Sequence, residues 1–201
     1  MRNQVPLAAL ALSHGAGSNR NAPLLVALDE AFTARRVAVT RFDLSYRQAR
    51  KSGPPRAGDP ERDRACIRET LEKLRAEYPG TPVFAGGHSY GGRQTSILAA
   101  GHPTVADGLL LLSYPLHPPK RRDLLRTEHF PQLRTPVLFV HGTRDPFGSP
   151  DEMTPALGLI RAHHEIRWFE RAGHELLNYG KSLVPEIVKA FFEFFKLRDC
   201  V

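Results

Sequence analysis

Six short apolar runs, each closed by a turn-rich segment, set the limits on what this chain can become. They are LAALALSH (7–14), VAVTRFD (37–43), PVFAGGH (82–88), DGLLLLSY (107–114), PVLFVHG (136–142) and HEIRWFE (164–170). Most are nearly continuous rather than alternating, the pattern of parallel strands covered on both faces. Between them lie longer segments with helical spacing, at about 22–35, 60–78, 90–101, 151–163 and 180–197. Pro60 with Glu61 suits a first helical turn, and Pro79-Gly80 ends the same helix. The last segment aligns Val184, Ile187, Val188, Phe191, Phe192 and Phe195 in one stripe, which predicts a core-facing helix. Strand–helix alternation of this kind predicts an α/β fold of about six mostly parallel strands with helices on both faces and right-handed crossovers. The 201 residues suffice for one well-filled core, so a single domain over 1–201 is expected. Residues 45–59, rich in Pro, Gly and Arg, read as an exposed loop; 115–135 has room for one short helix but not for a lid domain.

One of the strand-to-helix junctions carries chemistry. VFAGGHSYGGRQ places Gly87-His88-Ser89-Tyr90-Gly91 between an apolar run and a helix. G-x-S-x-G at such a junction is a nucleophile elbow: the serine takes a strained backbone conformation, and side chains two residues to either side would collide as the helix packs back on the strand. A serine hydroxyl needs a base, and the base needs an orienting acid. Of nine histidines, His174 in RAGHELL follows the last strand and precedes the last helix, where an imidazole overhangs the sheet edge. His14 and His141 end strands before glycines and suit loop-shaping roles, and His88 sits inside the elbow itself. Asp145 in HGTRDPFG follows the fifth strand and supplies the acid; Asp151 is a reserve that better suits a helix cap. Attack on a carbonyl also demands donors for the oxyanion. Tyr90 N–H, next to the serine, and Ala16 N–H, in His14-Gly15-Ala16-Gly17 after the first strand, form the expected pair. In a sheet ordered 2-1-3-4-5-6 both glycine turns line the crevice where strand order reverses. GAGSNR does not fit a dinucleotide loop, because Arg20 stands where close packing wants Gly or Ala.

HGAG, GHSYGG, YPLHPP, HGTRDPFG and AGHELL, in that order, resemble a small α/β-hydrolase family. It contains the testis-expressed hydrolase-like proteins, the hydrolase-like domain of the third NSL-complex subunit and many bacterial members. The chain is more distantly similar to dienelactone hydrolases, whose nucleophile is cysteine, and Ser89 departs from that pattern. The resemblance runs from about Leu7 to Phe195 and implies a minimal α/β-hydrolase fold, lacking two N-terminal strands of the larger form. It agrees with the chain order Ser89, Asp145, His174.

The expected activity is therefore a serine hydrolase of carboxylesterase or thioesterase type. It would act on a small or short-chain ester or thioester through an acyl-enzyme, with no cofactor and no metal. The competing reading is a non-catalytic interaction module on the same fold; peptidase activity would need an oligopeptide cleft for which there is no signature. YPLHPPKRRDL lies on the ligand side of the sheet, and His117, Lys120 and Arg121 are the expected substrate-binding residues, favouring a carboxylate or phosphate; a rigid proline loop with solvated charges is the alternative. The net charge of +7 does not imply nucleic acid, since the arginines are scattered, with only Arg35–Arg36 and Arg121–Arg122 as pairs. No apolar run approaches the ~18 residues that span a bilayer, and the N-terminal apolar stretch reads as a buried strand rather than a signal peptide. Cys66 and Cys200 lack CxxC spacing and are expected to be free thiols, consistent with a cytoplasmic protein.

Overall fold

The computed structural model describes residues 5–176 and 183–198. Its strands are β1 (Ala8–Ser13), β2 (Val37–Phe42), β3 (Val83–His88), β4 (Gly108–Leu112), β5 (Val137–Gly142) and β6 (His164–Phe169). They form one sheet in the order β2-β1-β3-β4-β5-β6, every neighbouring pair parallel. The helices are α1 (Pro23–Thr33), α2 (Ser45–Ala49), α3 (Asp59–Glu77), α4 (Tyr90–Gly101), α5 (Pro150–Leu157) and α6 (Val184–Phe194). This is the α/β-hydrolase fold in a six-stranded form. The connection from β4 to β5 holds only a 3-10 turn at Phe130–Gln132, and no lid covers the sheet edge among the described residues.

Side chains alternate across the sheet and make two cores. Ala9, Ala11, Ala85, Leu111 and Phe139 pack with Ile67, Leu71 and Leu74 of α3, Leu98 of α4 and Met153 of α5. Leu10, Leu12, Phe84, Leu110 and Val140 face Leu25, Leu28 and Phe32 of α1 and the phenylalanines of α6. Phe191 is the hub of that second layer, with its ring centroid 4.9 Å from Phe32 and 5.0 Å from Phe84. The helices that follow β1 and β3 thus lie on opposite faces, which opens a crevice between the C-terminal ends of these two strands.

Three expectations change. Residues 45–59 are not simply an exposed loop: α2 begins there, Tyr46 is buried and Arg47 nearly so, because both side chains bond to the turn after β1. The helix expected over 151–163 stops at Leu157, with Pro155 inside it and Gly158 at its end. Asp151 is exposed on its first turn and does not cap it. Ser149 does, in a reciprocal capping box with Glu152. Residues 180–182 of the last expected helix, and Cys200, lie outside the described residues; Cys66 is a half-buried free thiol. Among the described residues no helix is long and apolar enough to cross a membrane.

Candidate active site

Ser89 joins β3 to α4 with φ 51° and ψ −115°, a conformation non-glycine residues rarely adopt. Its N–H still donates to Leu112 O at 2.8 Å, so the sheet's hydrogen-bond ladder runs through the strained residue. The flanking glycines are required by space. A Cβ on Gly91 would lie 2.5 Å from Ser13 Oγ and 2.6 Å from His14 O, and one on Gly87 would collide with Ser13 Oγ and with Gly92 N. The helix therefore starts tightly against β1 and β3, and the Ser89 hydroxyl stands above the sheet edge.

Two loops from the far half of the sheet reach that hydroxyl. His174 Nε2 is 2.9 Å from Ser89 Oγ, and His174 Nδ1 is 2.8 Å from Asp145 Oδ2. A carboxylate only accepts, so Nδ1 carries the proton and Nε2 presents a lone pair to the serine. Asp145 has side-chain exposure of 0%; its other oxygen accepts Phe147 N–H at 2.9 Å. His141 adds a neighbour on the buried side, with Nε2 2.9 Å from Gly148 O and 3.4 Å from the Asp145 carboxylate. Burial pushes the His141 pKa down, so it serves as a neutral donor. His88, also lowered by burial, donates from Nε2 to His174 O at 2.9 Å and fixes the backbone of the histidine loop. Arg144 N–H to Ala172 O at 2.9 Å ties the acid loop to the histidine loop.

The turn after β1 closes the other side. Gly15 packs against the elbow, since a Cβ placed on it would be 3.1 Å from His88 Nδ1 and 3.5 Å from Ser89 Cβ. Its carbonyl accepts from His14 Nδ1 at 2.8 Å and from Tyr46 Oη at 3.2 Å. Across a trans peptide C=O and N–H point oppositely, so Ala16 N–H is directed away from these donors, and it has no partner among the described residues. Tyr90 N–H, at the first helical position, is likewise without a partner among them. Tyr46 Oη also donates to Ala16 O at 2.7 Å, and Arg47 Nε to Ser18 O at 2.7 Å. Beneath them Asp63 accepts Tyr90 Oη–H at 2.7 Å and Tyr46 N–H at 3.0 Å. Burial raises the Asp63 pKa. Sequence reading passed over Tyr46, Arg47 and Asp63; the only advance signal was an aromatic–basic pair four residues past the end of the second strand.

A cavity of about 790 Å³ lies over Ser89 and His174 and touches Ala16 and Tyr90. His117, Lys120 and Arg121 do not line it. His117 is buried, with Nδ1 2.9 Å from Pro118 O and Nε2 3.7 Å from Glu152. Arg121 pairs with Asp123, and Lys120 belongs to the same outward turn. The cations at the cavity are instead Arg56, Arg93 and Arg126. Among the described residues no three His, Cys, Asp or Glu side chains are grouped to hold a metal.

Residues 6–185 match a protein family described as the alpha/beta hydrolase domain. Solved structures with the same fold include a dienelactone hydrolase from Anabaena variabilis, 17% identical, with a TM-score of 0.75 over 96% of this chain and 88% of that one. An alpha-beta serine hydrolase homologue from Coxiella burnetii is 16% identical, with a TM-score of 0.75 over 94% of this chain and 87% of its own. Est1E from Butyrivibrio proteoclasticus, solved with ferulic acid bound, is 15% identical, with a TM-score of 0.76 over 96% of this chain and 92% of its own.

Proposed function

Because the chain belongs to the alpha/beta hydrolase domain family, we propose that it is a serine hydrolase cleaving small or short-chain carboxylic esters or thioesters. The observation that carries this reading is the unbroken chain from Asp145 Oδ2 through His174 to Ser89 Oγ, at 2.8 and 2.9 Å. Ser89 Oγ attacks the carbonyl carbon while its proton passes to His174 Nε2. The resulting imidazolium is balanced by the buried Asp145 carboxylate. Negative charge moves to the carbonyl oxygen, which faces the N–H groups of Ala16 and Tyr90; donors of this kind contribute about 3–4 kcal/mol each to the transition state. Collapse breaks the ester bond, and the departing alcohol or thiol takes the proton from Nε2. Water then gives a proton to Nε2 and attacks the acyl carbon, and return of that proton to Ser89 Oγ releases the acid.

The size of the cavity, about 790 Å³ and uncovered, suits small ligands. Within the family, the order HGAG, GHSYGG, YPLHPP, HGTRDPFG and AGHELL supports a place beside the testis-expressed and NSL-subunit hydrolase-like proteins. Labelling with a fluorophosphonate tests the reading. The wild-type protein is expected to label at one site, and Ser89→Ala and His174→Ala to lose labelling while staying folded. Labelling that survives Ser89→Ala, or a folded wild type that never labels, would refute it.

A further inference from the structure

We propose that Arg93 and Arg126 form an anion-recognition subsite beside Ser89, so that the ester carries a carboxylate or phosphate a few bonds from its carbonyl. This rests on the reading that the Ser89 cavity takes the ester.

Both side chains line the cavity that holds Ser89 and His174. Arg93 sits one helical turn after Ser89 on α4, about 6 Å along the axis, and Arg126 comes from the connection between β4 and β5. Several other arginines have carboxylate partners: Arg20 with Asp43, Arg41 with Asp29, Arg121 with Asp123, and Arg50 and Arg62 with the Asp59 they share. Neither Arg93 nor Arg126 has a carboxylate within ion-pair distance among the described residues. Arg93 Nε is buried and has no hydrogen-bond partner among them. Arg126 Nη1 has only two long contacts, 3.4 Å to Pro115 O and 3.5 Å to His117 O. Burial and the nearby charge of Arg93 both push the Arg126 pKa down, outweighing Glu128, which acts on it from beyond ion-pair distance. The one acid lining the cavity, Glu175, is exposed, as is the third cation, Arg56.

Such an arrangement is unfavourable while empty and becomes favourable when an oxyanion accepts from both guanidinium forks. Monoesters of four- or five-carbon dicarboxylic acids and acyl esters of short phosphorylated alcohols carry such an oxyanion a few bonds from the ester carbonyl. One oxyanion chemistry serves both, and the assay separates them.

Binding to Ser89→Ala, which needs no turnover, is the test. Isothermal titration compares monoethyl glutarate and 2-acetoxyethyl phosphate with neutral ethyl pentanoate. At least one anionic ester is expected to bind tenfold or more tightly than the neutral one, and the better of the two names the group. That preference is expected to weaken several-fold on adding Arg93→Gln or Arg126→Gln, and to vanish with both. Raising NaCl from about 0.05 to 0.5 M should weaken the anionic ester alone, a readout that survives if an arginine variant fails to fold. Equal affinity for charged and neutral esters, no binding of any ester, or a preference that outlasts both substitutions and salt overturns the subsite. Anion preference in a protein that never labels with fluorophosphonate would refute serine catalysis and leave the subsite standing.

Discussion

Two glycines of one helix are expected to respond in opposite directions to the same added methyl. On Gly101, at the end of α4, a Cβ would meet nothing within 4 Å. Gly101→Ala should therefore be neutral or stabilising by up to about 1 kcal/mol, the helix-propensity difference. On Gly91 the same atom would lie 2.5 Å from Ser13 Oγ, 2.6 Å from His14 O and 3.0 Å from Ser13 C. Ordinary contact needs about 3.4 Å or more, so α4 must retreat from β1 by several tenths of an ångström. Overpacking of this kind costs about 1–3 kcal/mol, and here two of the three obstacles are backbone atoms, which places the cost near the upper end. Subtracting the propensity gain leaves a net loss of about 2 kcal/mol, or roughly 4–8 °C in Tm at this chain length. The retreat also moves the first turn of α4, and with it Ser89 Oγ away from His174 Nε2 and Tyr90 N–H out of line. Misplacements approaching 1 Å cost about a hundredfold in rate. Urea unfolding measures the first effect, and the rate of fluorophosphonate labelling measures the second. If Gly91→Ala proves as stable and as reactive as Gly101→Ala, the tight seating of the helix against β1 is not what holds the elbow.

Asp145→Asn keeps the shape of the acid but offers an N–H where His174 Nδ1–H needs an acceptor, so ester hydrolysis should fall by roughly 10⁴-fold, as steady-state kinetics would show. Tyr90→Phe removes one of the hydrogen bonds to the buried Asp63 carboxylate; unfolding free energy in urea should drop by about 1.5–3 kcal/mol. Burial, aided by the charge of Arg93, depresses His129 from 6.5 to about 4. The unfolded chain therefore binds a proton that the folded one refuses between these values, and stability falls as pH drops through that window. From pH 7 to 4.5, His129→Asn should lose about 2 kcal/mol less than wild type. His14, His88 and His141 are lowered by burial in the same sense. Asp59, held below the usual carboxylate range chiefly by Arg50, adds a further loss below about pH 4, which guanidinium titrations at pH 4.5 and 3 would separate.

Every strand was legible in the sequence to within one or two residues: the four inner ones because burial on both faces leaves a continuous apolar run that a turn must end, and the partly buried edge strands β2 and β6 as β-rich runs bounded by turns. Ser89, Asp145 and His174 were expected together for a related reason: each stands in the turn that follows such a run, one, three and five residues past the end of its strand, and a parallel sheet carries all these turns to one edge. What supports them was not. Helix α2 has five residues and no apolar period, and Tyr46 and Arg47 are buried through hydrogen bonds to carbonyls of the β1 turn rather than through hydrophobic spacing. The cavity's cations were misplaced for want of direction. His117, Lys120 and Arg121 follow β4 and have the right chemistry, but His117 turns inward to Glu152 and Arg121 pairs with Asp123. Arg93, inside a helix where arginine is unremarkable, faces the cavity instead.

The same geometry explains how the strained serine is tolerated. Ser89 and Ser113 both have positive φ, 51° and 48°, and each is the residue immediately after its strand. Conformations of this kind cost about 1–3 kcal/mol apiece. Ser89 N–H donates to Leu112 O, and Ser113 N–H to Val140 O, both at 2.8 Å, so each strained residue is pinned by the carbonyl of the next strand. Those carbonyls belong to strands whose side chains are buried from end to end. Relaxing the serine would break a ladder bond in the driest part of the molecule, and an orphaned buried backbone group costs as much as the strain relieves. The sheet thus holds the elbow in a conformation it would not adopt alone. The loops that bring Ala16, Asp145 and His174 to the serine are anchored by side chains and carbonyls of their own. Position above the sheet edge and access to the cavity are therefore set by separate parts of the chain, which is why the site remains open while its core does not give.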